Sequence, residues 1–284
     1  MQILQNVIYF GDLIMIIQIS DCNWINISDD ISQKSNYWCS KLAYSTMTDV
    51  SFTSSNCWQV CEQDSEIHID LKRHIFYLPL NVEDKERCYA LRVLIDTVLL
   101  LSGCLPFHAA ALRRNAKSSM IFAETGAGKS RISSLICHKD ADIRIIGDDH
   151  IYLLDDRIQG NAVRRIRHAN GQDIFYENSC HAYGKSSVGF CYFPSETELS
   201  CKKLVQSEWM TVLDKSSAMK YALSEFVVQG RKYRADELFA CDTAEIYEKL
   251  VKKTFSSLFK VIGTHEYAAE CINKYLLQQK GISI

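Results

Sequence analysis

The chain has 284 residues, of which 47% are apolar and 23% charged, with a formal net charge of -2. These are globular proportions, and the length suits one large domain or two smaller ones, each able to bury a core. A balance this close to neutral supplies no global positive field, which argues against nucleic acid as a partner.

The N-terminal stretch from Val7 to Ile19 is apolar but broken by Gly11 and Asp12, and it has no basic lead. It does not read as a signal peptide. No run approaches the ~18 to 20 apolar residues of a membrane helix, so no membrane partner is expected. Twelve cysteines are scattered through apolar runs without a CxxC. The one close pair, Cys57 and Cys61, has no histidine at a zinc-like offset. The expectation is free thiols, mostly buried, in a reducing cytoplasm, with a metal or redox pair at Cys57/Cys61 as the lesser alternative.

Residues 1 to about 82 read as strand-rich. Val7 to Phe10, Leu13 to Ile19, Ile67 to Leu71 and His74 to Leu80 are β-branched or aromatic runs between Ser, Asn and Asp clusters. The last two form a hairpin turned at Lys72 and Arg73, while Ser20 to Asn56 is polar and carries no clear element. Glu83 to Gly103 reads as a helix with an acidic first turn, its Val93 to Leu101 segment buried. Two short strands, Phe107 to Leu112 and Ser119 to Ala123, flank the polar turn Arg113 to Lys117. Beyond them come a helix from Lys129 to His138 and strands at Ile143 to Ile146, His150 to Leu154 and Asn161 to Arg167. A strand at Val188 to Phe193, helices at Trp209 to Leu223 and Ala244 to Leu258, a strand at Phe259 to Gly263 and a helix from His265 to Gln278 complete the pattern.

The strongest motif is Ala123-Glu-Thr-Gly-Ala-Gly-Lys-Ser130, which meets the phosphate-loop pattern GxxxxGK[ST] at every fixed position except the first. The Met120-Ile-Phe-Ala strand leads into it and a helix follows, which is the context the motif requires. Gly126 and Gly128 let backbone N–H groups wrap an anion, and the helix presents its positive end to it. The nucleotide-binding stretch is therefore Glu124, Thr125, Gly126, Ala127, Gly128, Lys129, Ser130 and Arg131, with Lys129 on the outer phosphates and Ser130 as a Mg²⁺ ligand.

Downstream, Ile143-Arg-Ile-Ile-Gly ends in Asp148 and Asp149. A strand closing on carboxylates suits the second half of a nucleotide site, one acid for the metal and one to take a proton from an attacking hydroxyl. Repulsion between neighbouring carboxylates favours a base. His108, in Leu105-Pro-Phe-His-Ala-Ala-Ala-Leu, lies on the strand paired with the one entering the loop, so hairpin pairing brings it toward the loop's mouth.

Phe107-His108-Ala-Ala, the short hairpin, Ala123 to Ser130 and Gly147-Asp148-Asp149 together resemble the catalytic domain of HPr kinase/phosphorylase. A hairpin feeding directly into the phosphate loop is typical of that group and of the similar phosphoenolpyruvate carboxykinases. The specific match spans roughly residues 104 to 155. The resemblance implies ATP and Mg²⁺ as cofactors, Asp148 as catalytic base, Asp149 as metal support, and His108 beside the base and the transferred phosphoryl group. The bifunctional enzymes carry a Glu-x-Arg-Gly-Leu-Gly-type segment after the acids; none occurs here, so the resemblance implies kinase activity without the phosphorylase reaction. Compact relatives include kinases that phosphorylate the C-terminal residue of lasso peptides, which leaves a peptide, a protein or a small hydroxyl compound as acceptor. The bifunctional relatives form hexamers, so a homo-oligomer is among the expectations.

Two basic clusters stay open to two readings. Arg164, Arg165 and Arg167 read as a charged strand edge or as a phosphate clamp. Arg231, Lys232 and Arg234 sit in an expected loop, as solvated charge or as substrate contacts. Glu177 is a surface acid or a further metal ligand. The fold expected is α/β with a mixed sheet of the HPr kinase/carboxykinase type over residues 101–284, preceded by a β-rich lobe over 1–100. The function expected is transfer of the ATP γ-phosphoryl group to a hydroxyl; the rival is a regulator that binds ATP as a switch and phosphorylates nothing. A carboxykinase-like activity on an organic acid is disfavoured by the short chain and the lack of a Lys/His/Asp metal set.

Overall fold

The computed structural model describes residues 14–20, 23–28, 45–46, 57–63, 66–115, 117–153, 157–160, 163–167, 173–177, 183–184, 188–219 and 225–277. The expected strand at Val7 to Phe10 lies outside them. In chain order the strands begin with β1 (Ile14–Ser20), β2 (Asn23–Ser28), β3 (Ser45–Thr46), β4 (Cys57–Gln63), β5 (His68–Asp70) and β6 (Ile75–Pro79), followed by helix α1 (Asp84–Leu101). Then come β7 (Leu105–Phe107), β8 (Ala109–Arg114), β9 (Lys117–Phe122), α2 (Lys129–Lys139), β10 (Arg144–Asp148), β11 (Ile151–Leu153), β12 (Arg157–Gly160), β13 (Val163–Arg167), β14 (Asp173–Glu177) and β15 (Tyr183–Gly184). The remainder is β16 (Val188–Pro194), β17 (Ser200–Lys203), α3 (Trp209–Lys215), β18 (Glu225–Val228), β19 (Arg231–Arg234), α4 (Ala235–Phe239), α5 (Thr243–Thr254), β20 (Ser257–Gly263) and α6 (His265–Leu277).

The chain divides into two compact units: 1–102 with 161–180 and 221–246, and 103–160 with 181–220 and 247–284. The first cut falls at Ser102/Gly103, and two later segments group with the N-terminal residues. In the first unit, a six-stranded sheet runs β3-β1-β2-β4-β6-β5. The β5–β6 pair is the antiparallel hairpin expected from the alternating residues there, with Ile69 opposite Phe76. Helix α1 is buried from Ala90 to Leu100, which is why that stretch is apolar apart from Thr97 and the buried Arg92–Asp96 pair, 4.0 Å apart.

The second unit is built on a mixed sheet of order β10-β8-β9-β16-β20-β17. Strand β8 pairs antiparallel with β9 and β10, while β9, β16 and β20 run parallel. Side chains alternate across the sheet. Ala110, Ile121 and Val261 face a core that also takes in Ile132 and Ile136 of α2 and Ala268, Ala269 and Ile272 of α6. Phe122 belongs to an aromatic group with Phe107 and Phe255, at centroid distances of 5.1 and 6.1 Å, and Phe107 also meets Tyr247 edge-on at 5.6 Å. Two helices and an aromatic layer thus fix the strand that leads to the Gly-Lys-Ser loop.

Several elements differ from the sequence expectation. The run Phe107 to Leu112 is two strands, because the chain changes sheets at His108: β7 pairs with β11, and β8 with β9 and β10. The His108 N–H donates instead to the Ala218 carbonyl, at 2.9 Å. The helix starting at Trp209 stops at Lys215 rather than Leu223. Ser216 caps it, its hydroxyl donating to Leu213 O at 2.9 Å, and Ser217 turns left-handed at φ 53°. Strand β20 begins at Ser257, two residues before the expected start, so Leu258 is a strand residue and not the end of a helix. Arg231 to Arg234 form β19, paired with β18 in a hairpin, where a loop was expected. Among the described residues no helix is long and apolar enough to cross a membrane. Cys61, Cys104, Cys137, Cys191, Cys201, Cys241 and Cys271 are free thiols; Cys104 and Cys191 are buried and Cys201 is exposed.

Candidate functional site

The Gly-Lys-Ser loop follows directly on β9. Gly126 has φ 84° and Gly128 φ 100°, left-handed conformations that favour glycine. The Ala127 N–H donates to Glu124 O at 3.1 Å, which closes the turn, and Gly128 is the N-cap of α2. Glu124, Thr125 and Gly126 are exposed at the crest and Ala127 is half-buried, while Ser130 and Arg131 stand exposed on the first turn of α2.

Lys129 differs from these neighbours. It is 7% exposed, and its ammonium donates to Ala123 O at 2.9 Å and to Glu124 O at 3.5 Å. It also lies 3.1 Å from Nε2 of His108. A buried ammonium needs such partners, because leaving water uncompensated is costly. Two backbone carbonyls and an imidazole are among the partners that satisfy its donors.

His108 and the acidic pair come from the other side of β8. Asp148 ends β10 opposite Ala110, and Ala110 is opposite Ile121 of β9, so His108, immediately before β8, lies between the acids and the loop. Asp148 is 5% exposed and His108 3% exposed. Asp149 is unlike its neighbour: its side chain is 54% exposed, its φ is 86°, and its Oδ1 lies 3.1 Å from His108 Nε2. Positive φ is uncommon for a residue with a side chain, aspartate being among the better tolerated, and such residues gather at functional sites. The resemblance puts His108 beside the base, Asp148; the structure places His108 Nε2 against the neighbouring acid, Asp149, as well.

One imidazole nitrogen therefore faces both an ammonium and a carboxylate. Nε2 either accepts from Lys129 or carries a proton and donates to Asp149. It serves one at a time, so donation to Asp149 requires a proton on Nε2 and Lys129 turned to its other partners. The chain of Lys129, His108 and Asp149 couples the loop to the acidic pair.

Helix α6, far along the sequence, supports the same loop. His265 Nε2 lies 3.1 Å from Ala127 O, across 138 positions. A side chain on Gly128 would collide with that ring. Arg131, expected to contact nucleotide, pairs with Glu266 at 3.4 Å while remaining well exposed. Sequence reasoning took His265 only as a helix start, and no local pattern links it to the loop.

The other basic candidates belong to the first unit. Arg231 pairs with Glu66, Lys232 with Glu225 at 3.7 Å, and Arg234 with Asp236 through Nε at 3.0 Å. Asp236 holds the Arg234 guanidinium above its ordinary pKa, and Arg234 holds the Asp236 carboxyl below its own. The backbones of Arg164, Arg165 and Arg167 lie on β13, with Arg164 opposite Tyr176, and Glu177 lies on β14 opposite Val163. Among the described residues no group of three or more His, Cys, Asp or Glu is arranged to hold a metal.

The donor set fits a phosphate chain with a hard cation. It offers a left-handed glycine pair, a buried ammonium, an exposed hydroxyl at Ser130 and an exposed carboxylate at Asp149. No protein-family model matches the chain, and no curated protein matches it.

Proposed function

We propose that the protein is a Mg-ATP-dependent kinase that transfers the γ-phosphoryl group to a hydroxyl on a peptide, a protein or a small molecule, on an HPr kinase-like core. The carrying observation is the approach of Lys129 and Asp149, from two ends of the motif, to the same His108 nitrogen at 3.1 Å each. A lone phosphate loop would serve binding; an acid pair coupled to its lysine also offers a proton acceptor beside it.

In this reading the backbone from Glu124 to Gly128 binds the phosphates and Lys129 neutralises the outermost oxygens. Ser130 and Asp149 would hold Mg²⁺, which supplies further charge neutralisation. The acceptor O–H gives its proton to the Asp148 carboxylate, the oxygen forms its bond to the γ-phosphorus, and the bond to ADP breaks. His108 positions the acids relative to the loop. Catalysis of this kind rests on placement and electrostatics.

The deciding experiment follows label from [γ-³²P]ATP into extract separated into peptides, proteins and small molecules, for wild type, Asp148→Asn and Asp149→Asn. The expected result is labelling of one fraction by wild type, loss with Asp148→Asn at unchanged MgATP affinity, and a raised Mg²⁺ requirement with Asp149→Asn. Reversal of the two variants exchanges the roles of the acids. Tight MgATP binding by wild type without label in any fraction favours the ATP-switch reading.

A further inference from the structure

We infer that His265 is a positioning residue for the loop, setting the direction of its backbone donors; this rests on the nucleotide reading above. The peptide between Ala127 and Gly128 is planar and trans, so its C=O and N–H point in opposite directions. His265 Nε2, 3.1 Å from Ala127 O, fixes the carbonyl toward α6. The Gly128 N–H is thereby directed away from α6, free to serve an anion held by the loop. Without the contact the peptide can rotate and present a carbonyl to the anion, which repels it.

The ring's own supports are consistent with this role. It packs on Tyr192 at 5.7 Å between centroids, and the Tyr192 hydroxyl donates to Gly263 O at 3.0 Å, two residues before His265. Tyr192 is itself buried in the core shared with Ile132, Ala268 and Ile272. The ring occupies the space that a side chain on Gly128 would need. The sequence feature that permits the close approach is thus the second glycine of the motif, and Arg131 with Glu266 adds an outer tether between α2 and α6. To donate to a carbonyl Nε2 must carry a proton, so the neutral ring acts as its Nε2–H tautomer.

The test is titration calorimetry of MgATP binding to the full chain for wild type, His265→Phe, His265→Gln and His265→Ala. Phenylalanine keeps the ring against Tyr192 and Gly128 but has no donor; glutamine keeps a donor. Loss of one oriented donor corresponds to a roughly tenfold weaker Kd for Phe and Ala, with Gln within about threefold of wild type. Thermal midpoints without ligand check that the variants are folded, and if Ala fails that check the Phe and Gln pair decides. Equal affinity for wild type, Phe and Gln overturns the role of His265 and leaves the kinase reading standing. Failure of wild type to bind MgATP overturns the nucleotide reading, and this inference with it.

Discussion

Lys129 and Arg234 are both cations held by oxygen, yet they are held in opposite ways. Lys129 is 7% exposed, and backbone carbonyls and an imidazole satisfy it. Arg234 is half exposed, and Asp236 already matches its charge. The hairpin arginine lies in water, where charge is cheap, and has found a carboxylate. The loop lysine is kept largely from water, with two backbone carbonyls and an imidazole among its partners. Burial of a charge is costly unless its partners compensate it, and buried charges are frequent at functional sites.

The largest expected effect tests that contrast. Lys129→Met preserves length and removes the buried charge. We expect MgATP affinity to fall by about 100-fold or more, the loss of several charge-assisted bonds, in a chain that still folds. Calorimetry and thermal unfolding on the same sample check both. Affinity within threefold of wild type removes Lys129 from phosphate binding.

A second effect separates scaffold from site. Gly126 at the loop crest has open space around it, whereas a side chain at Gly189 on β16 would meet Phe122 Cε2 at 2.5 Å and Leu258 Cδ2 at 2.7 Å. Gly189→Ala should therefore destabilise by about 1–3 kcal/mol through overpacking, read from urea unfolding. Since Phe122 ends the strand that enters the loop, the same variant asks whether the aromatic layer supports only stability. MgATP affinity unchanged where the chain is still folded is the expected answer.

The parts of this architecture that are local in sequence were legible there. The strand, glycine turn and helix around Lys129 are written in eight consecutive residues, and β10 ending in Asp148 follows from an apolar run closed by acids. The break at His108 was not legible, since Leu105 to Leu112 is apolar on both sides of that residue and only the change of pairing partner divides it. Nor was the short α3, because Ser216 and Ser217 end it through hydroxyl capping and a left-handed turn that helix propensity does not weigh. His265 depends on tertiary approach alone.

A smaller effect lies on β17, at the edge of the same sheet. Cys271 of α6 has its thiol lowered to about 7, first by a hydrogen bond from Cys201, with further help from Tyr267 and Lys274 and against the effect of burial. The Cys201 thiol is shifted upward by the same pairing. Thiolate is the reactive form, so Cys271 should become alkylatable as pH rises through about 7, while Cys201 stays protonated. Peptide-mapped iodoacetamide labelling measures this, and Cys201→Ala should move the Cys271 profile upward toward its ordinary range. A Cys271 profile unmoved by Cys201→Ala removes the hydrogen bond as its main cause.

The smallest effect expected is at the hairpin. Arg231→Ala, Lys232→Ala and Arg234→Ala each remove a cation already paired with a carboxylate at the surface, where such pairs contribute little. MgATP affinity should stay within about twofold, since exposed charges that are already paired and screened by solvent act weakly. Arg234→Ala should let the Asp236 carboxyl rise toward its usual value. Because that carboxyl is depressed in the folded chain, its share of stability is present above the ordinary carboxylate range and fades as pH falls. The variant should thus narrow a small acid-side difference and leave neutral pH nearly untouched. A tenfold loss of affinity in any of the three would instead make that cation a ligand contact, and the contrast with Lys129 would then be one of burial alone.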